Sequence, residues 1–166
     1  GAQKEIFDAL GLPYGHRIES FDHSHIQGAD PVSALVVFTD GEPDKHEYRK
    51  YKLKGEVEHQ NAADEVGNTR EVVRRRYSRL LKEHKKMPDL ILMDGGQIQV
   101  DACLDVLRNE LNVNIPVAGM VKDDHHRTNH LIFGDPTQGE ELKLIPLNPK
   151  SEGFYLMTRI QDEVHR

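Results

Sequence analysis

Leu90-Ile-Leu-Met93 is a fully apolar run of four residues set between two stretches of helical periodicity, and that bracketing constrains the fold more than any other feature. Such a run reads as a strand buried on both faces of a sheet that has parallel crossovers. Asp94 closes the run and Gly95-Gly96 follows, so a carboxylate sits where an unpaired charge has no room. Burying it without a cationic or hydrogen-bonding partner costs several kcal/mol. A second aspartate, Asp22, lies in the alternating run Arg17–Ser24. On neighbouring strands, about 4.8 Å apart, the two carboxylates can share one divalent cation.

The rest of the pattern builds a sheet around that strand. Arg17–Ser24, Ser33–Thr39 and His46–Lys54 read as three antiparallel strands, the last two joined by the turn formers Asp40-Gly41-Glu42-Pro43-Asp44. A helix is predicted from about Asp64 to His84, with Val66, Val73, Tyr77, Leu80 and Leu81 on its apolar side. A second runs from about Ile98 to Leu111, carrying Val100, Cys103, Leu104, Leu107 and Leu111 inward. Ile115–Val121 is a fifth strand, and Leu131–Phe133 with Glu141–Ile145 makes a small separate hairpin. A last helix starts at the N-cap Ser151 and buries Phe154, Met157, Ile160 and Val164. The expected class is α/β, with a five-stranded mixed sheet of three antiparallel strands plus parallel crossovers, flanked by helices.

A length of 166 residues suits one domain spanning 1–166. The chain opens on Gly1-Ala2 without methionine and stops at Arg166 against a helix end, so it reads as a domain excised from a longer protein. No apolar stretch approaches the roughly 18 residues that span a bilayer, so no membrane role is expected. The single cysteine, Cys103, excludes an intrachain disulfide and points to a cytoplasmic setting, with its thiol in the core. Charge is uneven. The chain carries −6 overall, yet Arg70–Lys86 holds eight basic residues against Glu71 and Glu83. That stripe, with Arg74, Arg75 and Arg76 at its centre, is a candidate for phosphate binding.

Five segments carry a family resemblance: Phe21-Asp-His-Ser-His-Ile-Gln-Gly28, Glu71-Val-Val-Arg-Arg-Arg-Tyr77, Leu90-Ile-Leu-Met-Asp-Gly-Gly96, Lys122-Asp-Asp-His-His-Arg-Thr128 and Arg159-Ile-Gln-Asp-Glu-Val-His-Arg166. In this order they resemble the UvrC family of excinucleases over its C-terminal endonuclease domain. The resemblance implies an RNase H-like fold and a metal-dependent endonuclease of nucleotide excision repair. It implies hydrolysis of a DNA phosphodiester on the 5′ side of a lesion in damaged double-stranded DNA, with Mg²⁺ or Mn²⁺ as cofactor. It also implies UvrB as a partner of the full-length protein, through a segment absent here, and a domain that is itself monomeric.

Carried over by motif, the catalytic and metal-binding set is Asp22, Asp94 and His165, the histidine serving as a ligand or as an acid–base group. Imidazole is softer than carboxylate, so Mn²⁺ is expected to serve at least as well as Mg²⁺. Asp162, three residues before His165, is placed to orient the imidazole. Lys122, His126 and Arg127 read as phosphate-side or site-shaping residues, with His126 preferred to His125 by its place before Arg127-Thr128. His23 and His25 fall on the strand face opposite Asp22 and are not expected as ligands. One departure stands out: the family reads Asp-Gly-Gly-Lys-Gly where this chain has Asp94-Gly95-Gly96-Gln97-Ile98, removing a lysine from the site. The rival readings are a nuclease of the same fold for junctions or RNA–DNA hybrids, and a catalytically silent scaffold that binds DNA or protein.

Overall fold

Alternation along Arg17-Ile-Glu-Ser-Phe-Asp22 divides one strand between two cores. Ile18 joins the cluster on one sheet face and Phe21 the cluster on the other, both almost fully buried. The computed structural model describes residues 1–24, 30–55, 65–122, 125 and 128–166. In it β1 (Arg17–Ser24) pairs antiparallel with β2 (Val32–Thr39) and parallel with β5 (Leu90–Met93). The apolar run Leu90–Met93 thus occupies the middle of the sheet, buried at every position.

β2 turns into β3 (Glu42–Pro43) through Asp40-Gly41, whose φ values of 50° and 85° are those of a tight hairpin turn. The expected third strand, His46–Lys54, is corrected here. Pro43 has no N–H to continue the ladder, and residues 45–47 form a 3₁₀ turn. Pairing with β2 resumes only at β4 (Arg49–Lys52).

The sheet is also larger than expected. Among the described residues it has eight strands rather than five, in the order β3-β2-β1-β5-β6-β7-β8, with β4 also on β2. β6 runs over Val117–Lys122, parallel to β5. The hairpin predicted as a separate unit is longer, β7 (Thr128–Asp135) and β8 (Glu140–Pro146), and it extends the sheet by pairing β7 with β6. An unpaired edge on β6 would leave a row of backbone donors and acceptors unmet, and β7 satisfies them.

Helices cover both faces. On one lie α2 (Glu65–Lys82) and α3 (Gln97–Leu104), which continues as a π-helical segment over Asp105–Glu110. Val72, Val73, Tyr77, Val100, Cys103 and Leu107 fill the core beneath them. Val66 and Leu81, expected inside, are exposed, and Val72 takes an inward place instead. On the other face lie α1 (Ala2–Ala9) and α4 (Glu152–Val164), burying Ile6, Phe7, Met157, Ile160 and Val164. Ser151 caps α4 by accepting a hydrogen bond from the Phe154 N–H at 3.1 Å. The helix α1 was not anticipated: eight residues with two deeply buried apolar side chains carry too little periodicity. It is fixed in part through Glu5, whose carboxylate accepts the Gly153 N–H of α4 at 2.7 Å.

Candidate metal centre

The register of the central strands decides the site. Phe21 pairs with Met93 in parallel, so the next residues, Asp22 and Asp94, leave the ends of adjacent strands side by side. Both alternate onto the face covered by α4. That helix ends at Val164, and His165 at its C-cap reaches back between the two carboxylates. Its Nδ1 lies 3.2 Å from Asp22 Oδ2 and its Nε2 2.9 Å from Asp94 Oδ2. Among the described residues these three form a group able to hold a metal ion, with one donor atom from each lying within 4.8 Å of the others.

The electrostatics match a cation-binding place. The Asp94 side chain is only 6% exposed, and Gln161 of α4 donates to its Oδ1 at 3.1 Å. Lys122, at the end of β6, brings its Nζ to 3.9 Å from the same oxygen. Burial pushes the Asp22 carboxyl above its ordinary range and the Asp94 charge adds to this, while His165, the His23 N–H and Lys122 oppose it. Two carboxylates this close gain from a shared cation. One imidazole nitrogen and one oxygen from each carboxylate make a donor set of two hard oxygens and a nitrogen. The residues fit a small divalent cation with mixed oxygen and nitrogen ligands.

Behind Asp22, a second polar set faces α2. Thr69 donates its hydroxyl to Gln99 Oε1 at 2.6 Å and so accepts from His23 Nε2 at 2.9 Å, which leaves His23 Nδ1 to accept from Ser33 Oγ at 3.1 Å. Burial pushes His23 down to about 4, so it is neutral at pH 7. As expected, His23 sits across the strand from the centre.

Other expected residues are placed as follows. Asp162 is exposed, and because both His165 nitrogens face Asp22 and Asp94, none remains for it to orient. Gln161, one residue earlier and buried, holds Asp94 instead; its place beside the apolar stripe of α4 was the available signal. His25, His126 and Arg127 lie outside the described residues. Arg74, Arg75 and Arg76 are on α2, across the sheet from the centre. Arg74 pairs with Glu110, Arg75 donates to the Lys52 carbonyl and to Glu71, and Arg76 is buried against Glu19. Cys103 is fully buried and its thiol is pushed up to about 12 by burial, an inert core residue.

A family model described as the UvrC RNAse H endonuclease domain matches residues 7–166. The chain is similar to the UvrABC system protein C of Lactobacillus johnsonii, 98% identical over all 166 residues, and to that of Lactobacillus helveticus, 90% identical. The Limosilactobacillus reuteri protein is 68% identical over the same length. The chain spans 28% of the first two relatives and 26% of the third. Among solved structures, Ciona intestinalis endonuclease V in complex with a 23mer DNA containing an inosine followed by a ribo-adenosine matches 91% of this chain and 76% of its own, at 17% identity and a TM-score of 0.51. At that identity the likeness bears on the fold alone. Among the described residues, no helix is long and apolar enough to cross a membrane.

Proposed function

The chain belongs to the UvrC RNase H endonuclease domain family, and from that premise we propose that it is a metal-dependent DNA endonuclease whose centre is Asp22, Asp94 and His165. The observation that carries the reading is the convergence of these three side chains, from two strands and a distant helix, within 4.8 Å. Asp22 and Asp94 would hold the cation with oxygen, and His165 would be the third donor. When bound, Mg²⁺ or Mn²⁺ supplies positive charge that activates water and offsets the charge gathering on the phosphate. Gln161 keeps the Asp94 carboxylate in one orientation by donating to Oδ1. Lys122 places an ammonium beside that carboxylate, where it adds positive charge to the site. The reaction adds water across one phosphodiester P–O bond, forming one P–O bond as another breaks.

Within the longer protein, the substrate is damaged duplex DNA cut on the 5′ side of a lesion, with UvrB as a partner; the domain itself acts as a monomer in the cytoplasm. Asp22→Asn and Asp94→Asn each remove a hard anionic ligand without changing side-chain size. Each is expected to lower the cleavage rate at least about a hundredfold while leaving the melting temperature within a few degrees. Near-normal cleavage by either variant would overturn the assignment. The substrate is tested by comparing lesion-bearing duplex, a branched junction and an RNA–DNA hybrid, and preference for either of the last two would redirect the reading to another nuclease of this fold.

A further inference from the structure

A groove of about 670 Å³ runs between β4 and the second half of α2. Its lining includes eight arginine or lysine side chains and two glutamates. Its floor is set by Arg17 and Arg76, both paired with the fully buried Glu19. Even with Glu19 and Glu71 counted beneath it, four positive charges remain in excess, on a chain whose net charge is −6. The cations at the rim, Lys50, Lys85 and Lys86, are exposed.

The groove lies on the α2 face of the sheet, across from the metal centre, and β4, which among the described residues pairs only with β2, is the sheet edge that borders both faces. Asp22 pairs with Ala34 on β2, and Ala34 pairs with Lys50 on β4, so Lys50 shares the face of the centre, while its neighbours Arg49 and Tyr51 alternate onto the face of the groove. Two strand spacings put the Lys50 backbone about 10 Å from that of Asp22, roughly three base-pair rises of a duplex. Ala34 offers only a methyl group between them. The surface over it is a hollow of about 450 Å³ that Lys50 and Arg166 also line.

We propose that this groove binds the phosphodiester backbone of DNA flanking the cut, with Lys50 as its first contact beyond the centre. The side chains favour backbone over bases. Tyr51, the aromatic ring in the groove, is already covered by the Arg75 guanidinium, 5.5 Å from its centroid, and is not free to stack on a base. Such a groove reads charge and holds any sequence. The choice of DNA as the polyanion rests on the nuclease reading above; the charge of the groove does not.

The test measures binding of a labelled duplex of about 30 base pairs, without divalent metal, to the whole chain and to the triple variants K50E/K85E/K86E and K50Q/K85Q/K86Q. At about 50 mM salt the glutamate triple is expected to bind at least about tenfold more weakly, with the glutamine triple between. The slope of log affinity against log salt should fall by about 2–3 for three lost phosphate contacts. Melting temperatures close to that of the parent keep the comparison valid, and the milder glutamine triple serves if the glutamate triple is poorly folded. Unchanged affinity and slope would overturn the proposal. So would polyglutamate competing as well as duplex at equal charge, which would mark an acidic-protein surface instead. Groove-dependent binding by a chain that cuts no DNA with metal present would sink the nuclease reading and keep the groove. Normal cutting and binding by the triple variants would do the reverse.

Discussion

His165 has a carboxylate oxygen at each ring nitrogen, 3.2 Å from Asp22 and 2.9 Å from Asp94, and its two conceivable duties, ligand or acid–base group, leave different kinetic signatures. A third ligand tightens the hold on the cation, whereas an acid–base group shapes the pH dependence of turnover. His165→Ala is therefore expected to raise the Mn²⁺ concentration giving half-maximal cleavage by about tenfold or more. Its activity at saturating metal should keep the parent's pH profile. A flattened pH limb with unchanged metal demand would assign the histidine to proton transfer. The aspartates were legible in the sequence because a carboxylate at the end of a buried strand is conspicuous. His165 was legible only through the family motif, since one terminal histidine beside an apolar stripe carries no chemical signature of its own. Gln161 was not legible, because a buried amide looks like any other polar residue until its acceptor is known.

At the scale of elements, the close approach of β6 to the Gly95 turn controls where Asp94 ends up. A Cβ on Gly119 would stand 2.2 Å from the Gly95 carbonyl oxygen, a backbone atom that cannot step aside cheaply. Gly119→Ala is expected to cost about 1–3 kcal/mol and to lower the melting temperature by about 3–10 °C. It should also depress cleavage, because the displaced turn carries Asp94 with it. A thermal melt within 1–2 °C of the parent would show that the turn yields more freely than its packing indicates. Strand and helix positions were readable from periodicity in the central elements, where burial is complete. The third strand was misread because alternation in His46–Lys54 persists through a segment where Pro43 has already broken the ladder. The hairpin of β7 and β8 was seen, but its attachment to β6 depends on edge pairing between distant segments, which local pattern does not encode.

For the whole molecule, the charge distribution sets what the chain can do unaided. A net charge of −6 repels a phosphate backbone, and the basic groove has to act against that field. The chain alone is expected to bind undamaged duplex only at micromolar concentration or weaker at physiological salt, as read by gel shift; sub-micromolar binding there would contradict this. The sequence by itself determined the class of fold, the buried central strand and the two aspartates, because hydrophobic periodicity and the cost of burying charge act locally along the chain. The tertiary structure decided the rest. It decided the eight-strand order, the reach of His165 back from α4, the Gln161 contact that steadies Asp94, and the register that sets Lys50 on the face of Asp22. Each of these depends on which distant segments share an edge or a register, and that is settled by packing the whole chain at once.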